Sequence, residues 1–170
     1  RINRLLFKWS RVDRSSIHLM WADLGAGKSH TLMHIKNICV DETGRGIFPV
    51  YSVMPKQLKT FLDLYRAIIA GLDFVEFSKM NITAFRTLRT RNEVVKRVFP
   101  EIPDAVQALN SLQSDNERVR NLAQQWIRGN SGMVKRDLNE LGVTRKIATT
   151  DDAVAMLSGL IKLVEVSGRF

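Results

Sequence analysis

The stretch Ala22-Asp23-Leu24-Gly25-Ala26-Gly27-Lys28-Ser29 decides the fold that we expect for this chain. Gly25 and Gly27 lack a Cβ atom, so the backbone can curl until successive N–H groups point at one place. The helix predicted from Lys28 onward would add the partial positive charge of its N-terminus there. Phosphate oxygens suit such a place, so the stretch predicts a phosphate-binding loop.

Each residue type in the loop matches a task in the binding of ATP and Mg²⁺. Lys28 can reach the β and γ phosphates as a point charge, which is the catalytic role that we expect for it. Ser29 offers a hydroxyl oxygen to Mg²⁺, a hard cation that prefers oxygen ligands. Backbone N–H groups from the glycine segment would hold the phosphate chain. The predicted nucleotide-binding residues are Ala22, Asp23, Leu24, Gly25, Ala26, Gly27, Lys28, Ser29 and His30.

Some residues near the loop have less decisive interpretations. Ala22 stands where the P-loop pattern has its first glycine, and a methyl group is tolerated there if the backbone φ is negative. Asp23 either contacts a nucleotide or caps the loop locally, and both interpretations stay open. His30 and His34 lack a third ligand, and His18 falls in a predicted strand, so the histidines predict no metal site.

Two strand candidates complete the expected core. Residues 17–21 form a compact, mostly apolar run directly before the loop, and residues 47–53 form a second run. Pro49 favours an edge position or a bulge for the second one. A P-loop is normally supported by a parallel sheet that helices cover on both faces. The predicted fold class is therefore α/β, with an incomplete parallel sheet of two strands in this chain.

Helical patterns account for the rest of the sequence. The helix after the loop should run from residue 28 to about 40, and a long amphipathic helix follows from Leu58. A capping box of Thr149 and Asp152 opens the last helix, which runs through Val154, Leu157, Ile161 and Val164. Further helical segments are predicted at residues 82–88, 93–99, 104–112, 115–127 and 134–141. Residues 1–72 would form the P-loop core, 73–148 a helical insertion and 149–170 the closing helix.

The composition favours an acidic partner. Lys and Arg number 26 against 17 Asp and Glu, a net charge of +9, which suits a nucleotide or nucleic acid. Basic residues concentrate at residues 86–97 and 135–146, where we interpret them as solvated helix faces. The single cysteine, Cys39, fits a reducing compartment, so the cytoplasm is the expected location. No apolar run approaches the roughly 20 residues that a membrane span needs.

ATP hydrolysis also requires an acidic residue that holds Mg²⁺ at the end of a neighbouring strand. Asp41 and Glu42 follow an apolar run, but this run continues the helix that starts at the loop. Glu165 falls inside the last predicted helix and fails for the same reason. Whether this chain hydrolyses ATP therefore stays open.

The loop and its flank resemble a known group of ATPases. Residues 22–32 are similar to the Gly-x-x-Gly-Ser-Gly-Lys-Ser-His stretch of AAA+-like ATPases related to the origin-recognition initiators. Within that group, the resemblance points to the ATP-binding proteins of bacterial phage-exclusion (BREX-type) systems, and His30 is its most telling residue. Residues 122–129, 141–143 and 151–166 are loosely similar to the helical segment of those proteins.

The resemblance implies an ATP-binding module that switches a larger, DNA-associated assembly. Its partners would be other protein subunits and the rest of its own polypeptide, because that family continues after such a closing helix into a strand ending in Asp-Glu. We therefore expect the chain to be a fragment that lacks the acidic strand. Two alternatives stay open: a small-molecule or nucleoside kinase, and a non-hydrolysing, nucleotide-sensing module that binds nucleic acid.

Overall fold

The structure, a computed structural model, describes residues 23, 25, 27–41, 48–85 and 87–167. Its compact units divide between Tyr51 and Ser52. In the first unit the described residues include one helix, α1 (Lys28–Asp41). The second unit, Ser52–Ser167, holds seven helices: α2 (Phe61–Ala70), α3 (Phe74–Ala84), α4 (Leu88–Val98), α5 (Asp104–Ser111), α6 (Glu117–Ile127), α7 (Lys135–Leu141) and α8 (Thr150–Val166).

The predicted α/β fold class with its parallel sheet is wrong, because the described residues form helices and none of them belongs to a strand. Residues 48–53 were expected to form the second strand but run as irregular chain. Val50 and Val53 are exposed there, so the run lacks the burial that a strand of a parallel sheet requires. Pro49 also has no N–H to donate to a neighbouring strand. The first strand candidate, residues 17–21, lies outside the described residues.

The second unit is built around α8 and α6. Helix α8 packs against α2 and α4, while α5 packs against α4, α6 and α7. Trp126 of α6 is 1% exposed and donates its indole N–H to the Arg145 carbonyl oxygen over 2.7 Å, so it is a core residue. The largest fully buried side chains are Trp126, Tyr65, Phe77, Phe99, Met80, Ile127, Leu141, Met156 and Leu163.

Most of the predicted helices are present, with shifted ends. The helix expected at residues 28–40 is confirmed as α1, and the amphipathic helix after Leu58 is confirmed as α2. The segment predicted at residues 82–88 is wrong, because α3 ends at Ala84 and α4 begins at Leu88. Helix α3 itself starts earlier, at Phe74, where the Asp73 carboxylate accepts hydrogen bonds from two backbone N–H groups, as an N-cap does.

The start of α8 confirms the predicted capping box of Thr149 and Asp152. Burial by itself raises the pKa of the Asp152 carboxyl. Backbone N–H groups of Ala148 and Thr149 and the Thr149 hydroxyl donate to this carboxylate, and an Arg145 guanidinium nitrogen lies 3.1 Å away. These interactions outweigh burial and hold the pKa of Asp152 below its ordinary value.

The predicted last helix is confirmed as α8, but the apolar residues named for it do not mark its buried side. Val154 and Ile161 are exposed, while Met156, Leu160 and Leu163 are buried, together with Ala153 and Gly159. The Phe99 ring lies directly over Gly159, where a Cβ atom would overlap it. Helix α8 therefore turns Gly159 toward Phe99 at the end of α4, since only a small residue permits this close approach.

Replacing Gly159 by alanine is expected to lower the free energy of unfolding by roughly 1–3 kcal/mol, a typical cost of overpacking a core. The new methyl group would collide with the Phe99 ring, and the gain of about 1 kcal/mol that alanine brings to a helix offsets only part of this destabilisation. Ser158→Ala at the exposed neighbouring position is the control and should change stability by less than about 0.5 kcal/mol. Urea unfolding measures both. Equal stability of the two variants would contradict the close packing of Gly159 on Phe99.

Candidate functional site

Helix α1 begins directly behind the glycine segment of the predicted loop. The Gly27 carbonyl oxygen accepts the first helical hydrogen bond, from the Thr31 N–H over 2.9 Å. The Thr31 hydroxyl also donates to this oxygen over 3.1 Å. The N–H groups of residues 28–30 precede this first bond and have no partner four residues earlier within the helix. They are the kind of donors that bind an anion at a helix N-terminus.

Both described glycines of the loop have left-handed backbone angles, with φ of 82° at Gly25 and 76° at Gly27. Residues with a Cβ atom rarely adopt such angles. A Cβ atom added at either position would meet nothing within 4 Å, so the constraint is backbone strain and not crowding. Gly25 and Gly27 therefore have the left-handed backbone angles that a curled loop uses.

The Lys28 side chain folds back over this loop. Its Nζ atom donates to the Asp23 carbonyl oxygen over 2.6 Å and so joins the first turn of α1 to the start of the loop. Asp23 takes part in this contact through its backbone, which leaves both interpretations of its carboxylate open. Ala22, Leu24 and Ala26 lie outside the described residues, so their predicted roles stay predictions.

Ser29 and His30 are exposed on the first turn of α1, where a ligand at the loop could reach them. Asp41 is the last residue of α1 and lies 12 positions after Ser29, so their backbones are about 18 Å apart along the helix axis at a rise of about 1.5 Å per residue. This separation excludes Asp41 as the partner of Ser29 in holding Mg²⁺. Glu165 lies within α8, as expected. Glu42 lies outside the described residues.

The loop fits a phosphate chain better than it fits a metal bound by protein ligands alone. Its donor set consists of backbone N–H groups, one ammonium and one hydroxyl. Nowhere in the described ranges do three or more His, Cys, Asp or Glu side chains come together in a way that could hold a metal ion. Ser29 would thus supply one ligand to Mg²⁺, and phosphate oxygens and waters would supply the others, as is usual for this cation.

The basic residues predicted to form solvated helix faces divide into two groups. Arg89 is largely exposed and pairs with Glu93 over 3.1 Å, as a residue on a solvated face does. Arg91 instead is buried and donates to the side-chain oxygens of Gln113 and Asn110 over 2.6 and 2.7 Å. Burial lowers the pKa of the Arg91 guanidinium. Thus part of the net charge serves packing, and only the exposed part is accessible to a partner.

Among the helices that the structure describes, none combines the length and the apolar character that a membrane span requires.

The chain matches no known protein family, no curated protein and no solved structure.

Proposed function

We propose that the chain binds ATP through residues 22–30 and serves as the nucleotide-binding module of an AAA+-like ATPase. One observation carries the proposal: two left-handed glycines lead directly into the N-terminus of a helix whose first residue is Lys28. This arrangement collects backbone donors, a helix dipole and an ammonium group at one exposed loop. The similarity of residues 22–32 to initiator-like ATPases supports ATP as the ligand.

Lys28 would change partners when the phosphate chain binds. Its Nζ atom now donates to the Asp23 carbonyl oxygen, a neutral acceptor at 2.6 Å. Phosphate oxygens are charged acceptors and form stronger hydrogen bonds, so they would displace the carbonyl oxygen. The N–H groups of residues 28–30 would then hold the phosphates, and Ser29 would orient toward Mg²⁺. Bound ATP and Mg²⁺ would supply the phosphoanhydride bond and the positive charge that stabilises its cleavage.

The larger setting of this module is proposed from the same resemblance. ATP binding would switch an assembly that acts on DNA in the cytoplasm, with phage defence as one role. The partners would be other protein subunits and the rest of the polypeptide to which this module belongs.

A second candidate, a nucleotide-sensing module that binds nucleic acid without hydrolysis, is favoured by the net charge of +9. DNA binding by this chain that weakens steeply with the logarithm of salt concentration would support it.

Calorimetric titration of the chain with ATP, ADP, AMP and adenosine in the presence of Mg²⁺ tests the proposal. We expect the affinity to fall as the phosphate chain shortens, because the loop contacts phosphates and not the base. Equal affinity for ATP and adenosine would contradict a phosphate site. Release of phosphate, measured in parallel, should be negligible, since Asp41 and Glu165 lie within helices. Hydrolysis by this chain would show that another carboxylate supports catalysis.

A further inference from the structure

The unit Ser52–Ser167 contains a cavity that has no part in the ATP proposal. It is an open pocket of about 370 Å³ beside the C-terminal end of α6. This volume lies within the range of small-molecule sites. Its lining residues are Arg66, Gln125, Arg128, Gly129, Asn130 and Ser131. None of these six residues is acidic, and two of them are arginines.

Two of the backbone oxygens around this pocket already have donors. Arg66 Nε donates to the Gly129 carbonyl oxygen over 2.9 Å, and Lys146 Nζ donates to the Ser131 carbonyl oxygen over 2.8 Å. Neither carbonyl oxygen therefore needs a donor from a ligand. The contact of Lys146 also brings a third positive charge next to the turn that lines the pocket.

The side-chain oxygens of the lining amides are occupied as well. Asn130 Oδ1 accepts from the Gly132 N–H over 2.9 Å, and Gln125 Oε1 accepts from Asn130 Nδ2 over 3.3 Å. Each amide thus uses its acceptor inside the protein. Gln125 Nε2, the donor of the same amide, has no hydrogen-bond partner among the described residues.

Helix α6 ends here, and its carbonyl oxygens would repel an anion if they were left without partners. They all have donors: backbone N–H groups of Arg128, Gly129 and Asn130 bond three of the last four, and the Tyr65 hydroxyl bonds the fourth, that of Ile127. The positive φ of 65° at Gly129 allows the turn that brings these N–H groups back to the helix. The negative end of the helix is therefore largely compensated.

Strong donors remain without acceptors. Across the ranges that the structure describes, the Arg128 guanidinium and the N–H and hydroxyl of Ser131 make no hydrogen bond within the protein. Arg66 Nη1 forms an ion pair with Asp63 Oδ1 at 3.8 Å, a distance that is too long for a hydrogen bond. The Arg128 guanidinium carbon lies 5.0 Å from the centre of the Phe74 ring, a cation–π contact that holds it in place.

We infer that this pocket binds a phosphate group, either as free phosphate or as the phosphate of a small monoester. Two guanidinium groups match the paired oxygens of a phosphate, and Ser131 adds donors from the turn. A phosphate group presents three strongly accepting oxygens, which suits donors that come from α2, from the end of α6 and from the following turn. The arginines that line the pocket supply positive charge for the anion. The Asp63 carboxylate, which pairs with Arg66, acts against this attraction.

The experiment uses the Lys28→Ala variant, in which binding of the probe at the loop near α1 is weakened, and it follows amides of the pocket alone, so failure of one proposal leaves the other testable. Inorganic phosphate is titrated while ¹H–¹⁵N NMR spectra follow the amides of Gly129, Asn130, Ser131 and Gly132. We expect saturable shifts of these amides. Ribose 5-phosphate distinguishes the two sources: tighter binding than phosphate indicates a monoester, and equal binding indicates free phosphate. Absence of shifts, or tighter binding of acetate, would overturn the inference.

Arg128→Gln should weaken phosphate binding roughly tenfold or more, since it removes charged hydrogen bonds. Arg128→Lys keeps the charge but not the paired donors, so its affinity for phosphate should lie between those of Arg128→Gln and the parent. Arg97→Gln, at an exposed position of α4 outside the pocket lining, makes the same change in net charge. If Arg97→Gln weakens binding as much as Arg128→Gln does, phosphate responds to overall charge and the pocket is not its site.

Discussion

The Lys28→Ala variant is expected to lose most of its affinity for ATP while it keeps its fold. Hydrogen bonds between charged groups contribute about 1.5–3 kcal/mol, which corresponds to roughly 10- to 100-fold weaker binding. The described contact of the Nζ atom is with the Asp23 carbonyl oxygen at the protein surface, so its removal should not open a cavity. Calorimetry measures the affinity, and circular dichroism checks the helix content.

The matched control is Lys36→Ala, which removes a lysine two turns further along α1. Both variants change the net charge equally, so nonspecific attraction of ATP weakens equally in both. If Lys36→Ala keeps the parent affinity for ATP and Lys28→Ala does not, the lost affinity comes from a contact at the loop and not from net charge. If a folded Lys28→Ala variant binds ATP as the parent does, the loop is not the ATP site.

Replacing Trp126 by alanine should lower the free energy of unfolding by about 3–5 kcal/mol, as large-to-small changes of buried aromatic residues do. The indole is 1% exposed and joins α6 to the segment that precedes α8. Its removal would leave a cavity and would take the 2.7 Å hydrogen bond from the Arg145 carbonyl oxygen. Guanidinium unfolding followed by circular dichroism measures the loss.

Trp126→Phe separates the effect of the cavity from the effect of the lost hydrogen bond, and it remains measurable if the alanine variant does not fold. Phenylalanine fills most of the space but lacks the N–H, so it should lower the free energy of unfolding clearly less than alanine does. The exposed residue Leu88 provides a surface control, and Leu88→Ala should change stability by less than about 0.5 kcal/mol. A Trp126→Ala variant as stable as Leu88→Ala would place the indole outside the core.

Periodicity predicted where helices lie better than which side of a helix is buried. In α2, Tyr65 and Ile69 recur on one side and are buried, as the pattern indicates. Helix α8 has apolar residues on two sides, and periodicity alone cannot choose between them. Gly159 and Ala153 mark the buried side, since a neighbouring helix can approach closely only where side chains are small. That size signal was present in the sequence.

The sheet was predicted from a short motif and two apolar runs, and this is where sequence reasoning failed. A run such as residues 48–53 is compatible with a buried strand and with an irregular segment, because its conformation depends on the surface that it meets. Val53 is 75% exposed, so no such surface covers it. Helix α3 was missed although Asp73 precedes Phe74, Phe77 and Met80, an N-cap followed by apolar residues at helical spacing.

The two candidate sites differ in how far sequence could predict them. The loop is contiguous, so the positions of Gly25, Gly27 and Lys28 already indicate how they act together. Thr31, whose hydroxyl bonds the Gly27 carbonyl oxygen, was not recognised, although threonine in a first helical turn is a usable signal. The pocket brings together Arg66 and Gly129, which are 63 positions apart. No local pattern reports such a pairing.

The long separations within the second unit also affect how it folds and unfolds. The Tyr65 hydroxyl bonds the Ile127 carbonyl oxygen across 62 positions, and α2 also packs against α8. Bringing together residues so far apart in the chain loses conformational entropy before the new contacts stabilise the fold. The unit should therefore fold more slowly than a helical hairpin of equal stability. Once closed, loss of α2 would leave buried groups on α6 without partners. Local opening near Tyr65 should therefore approach the cost of global unfolding, and the amides around it should be among the slowest to exchange with solvent.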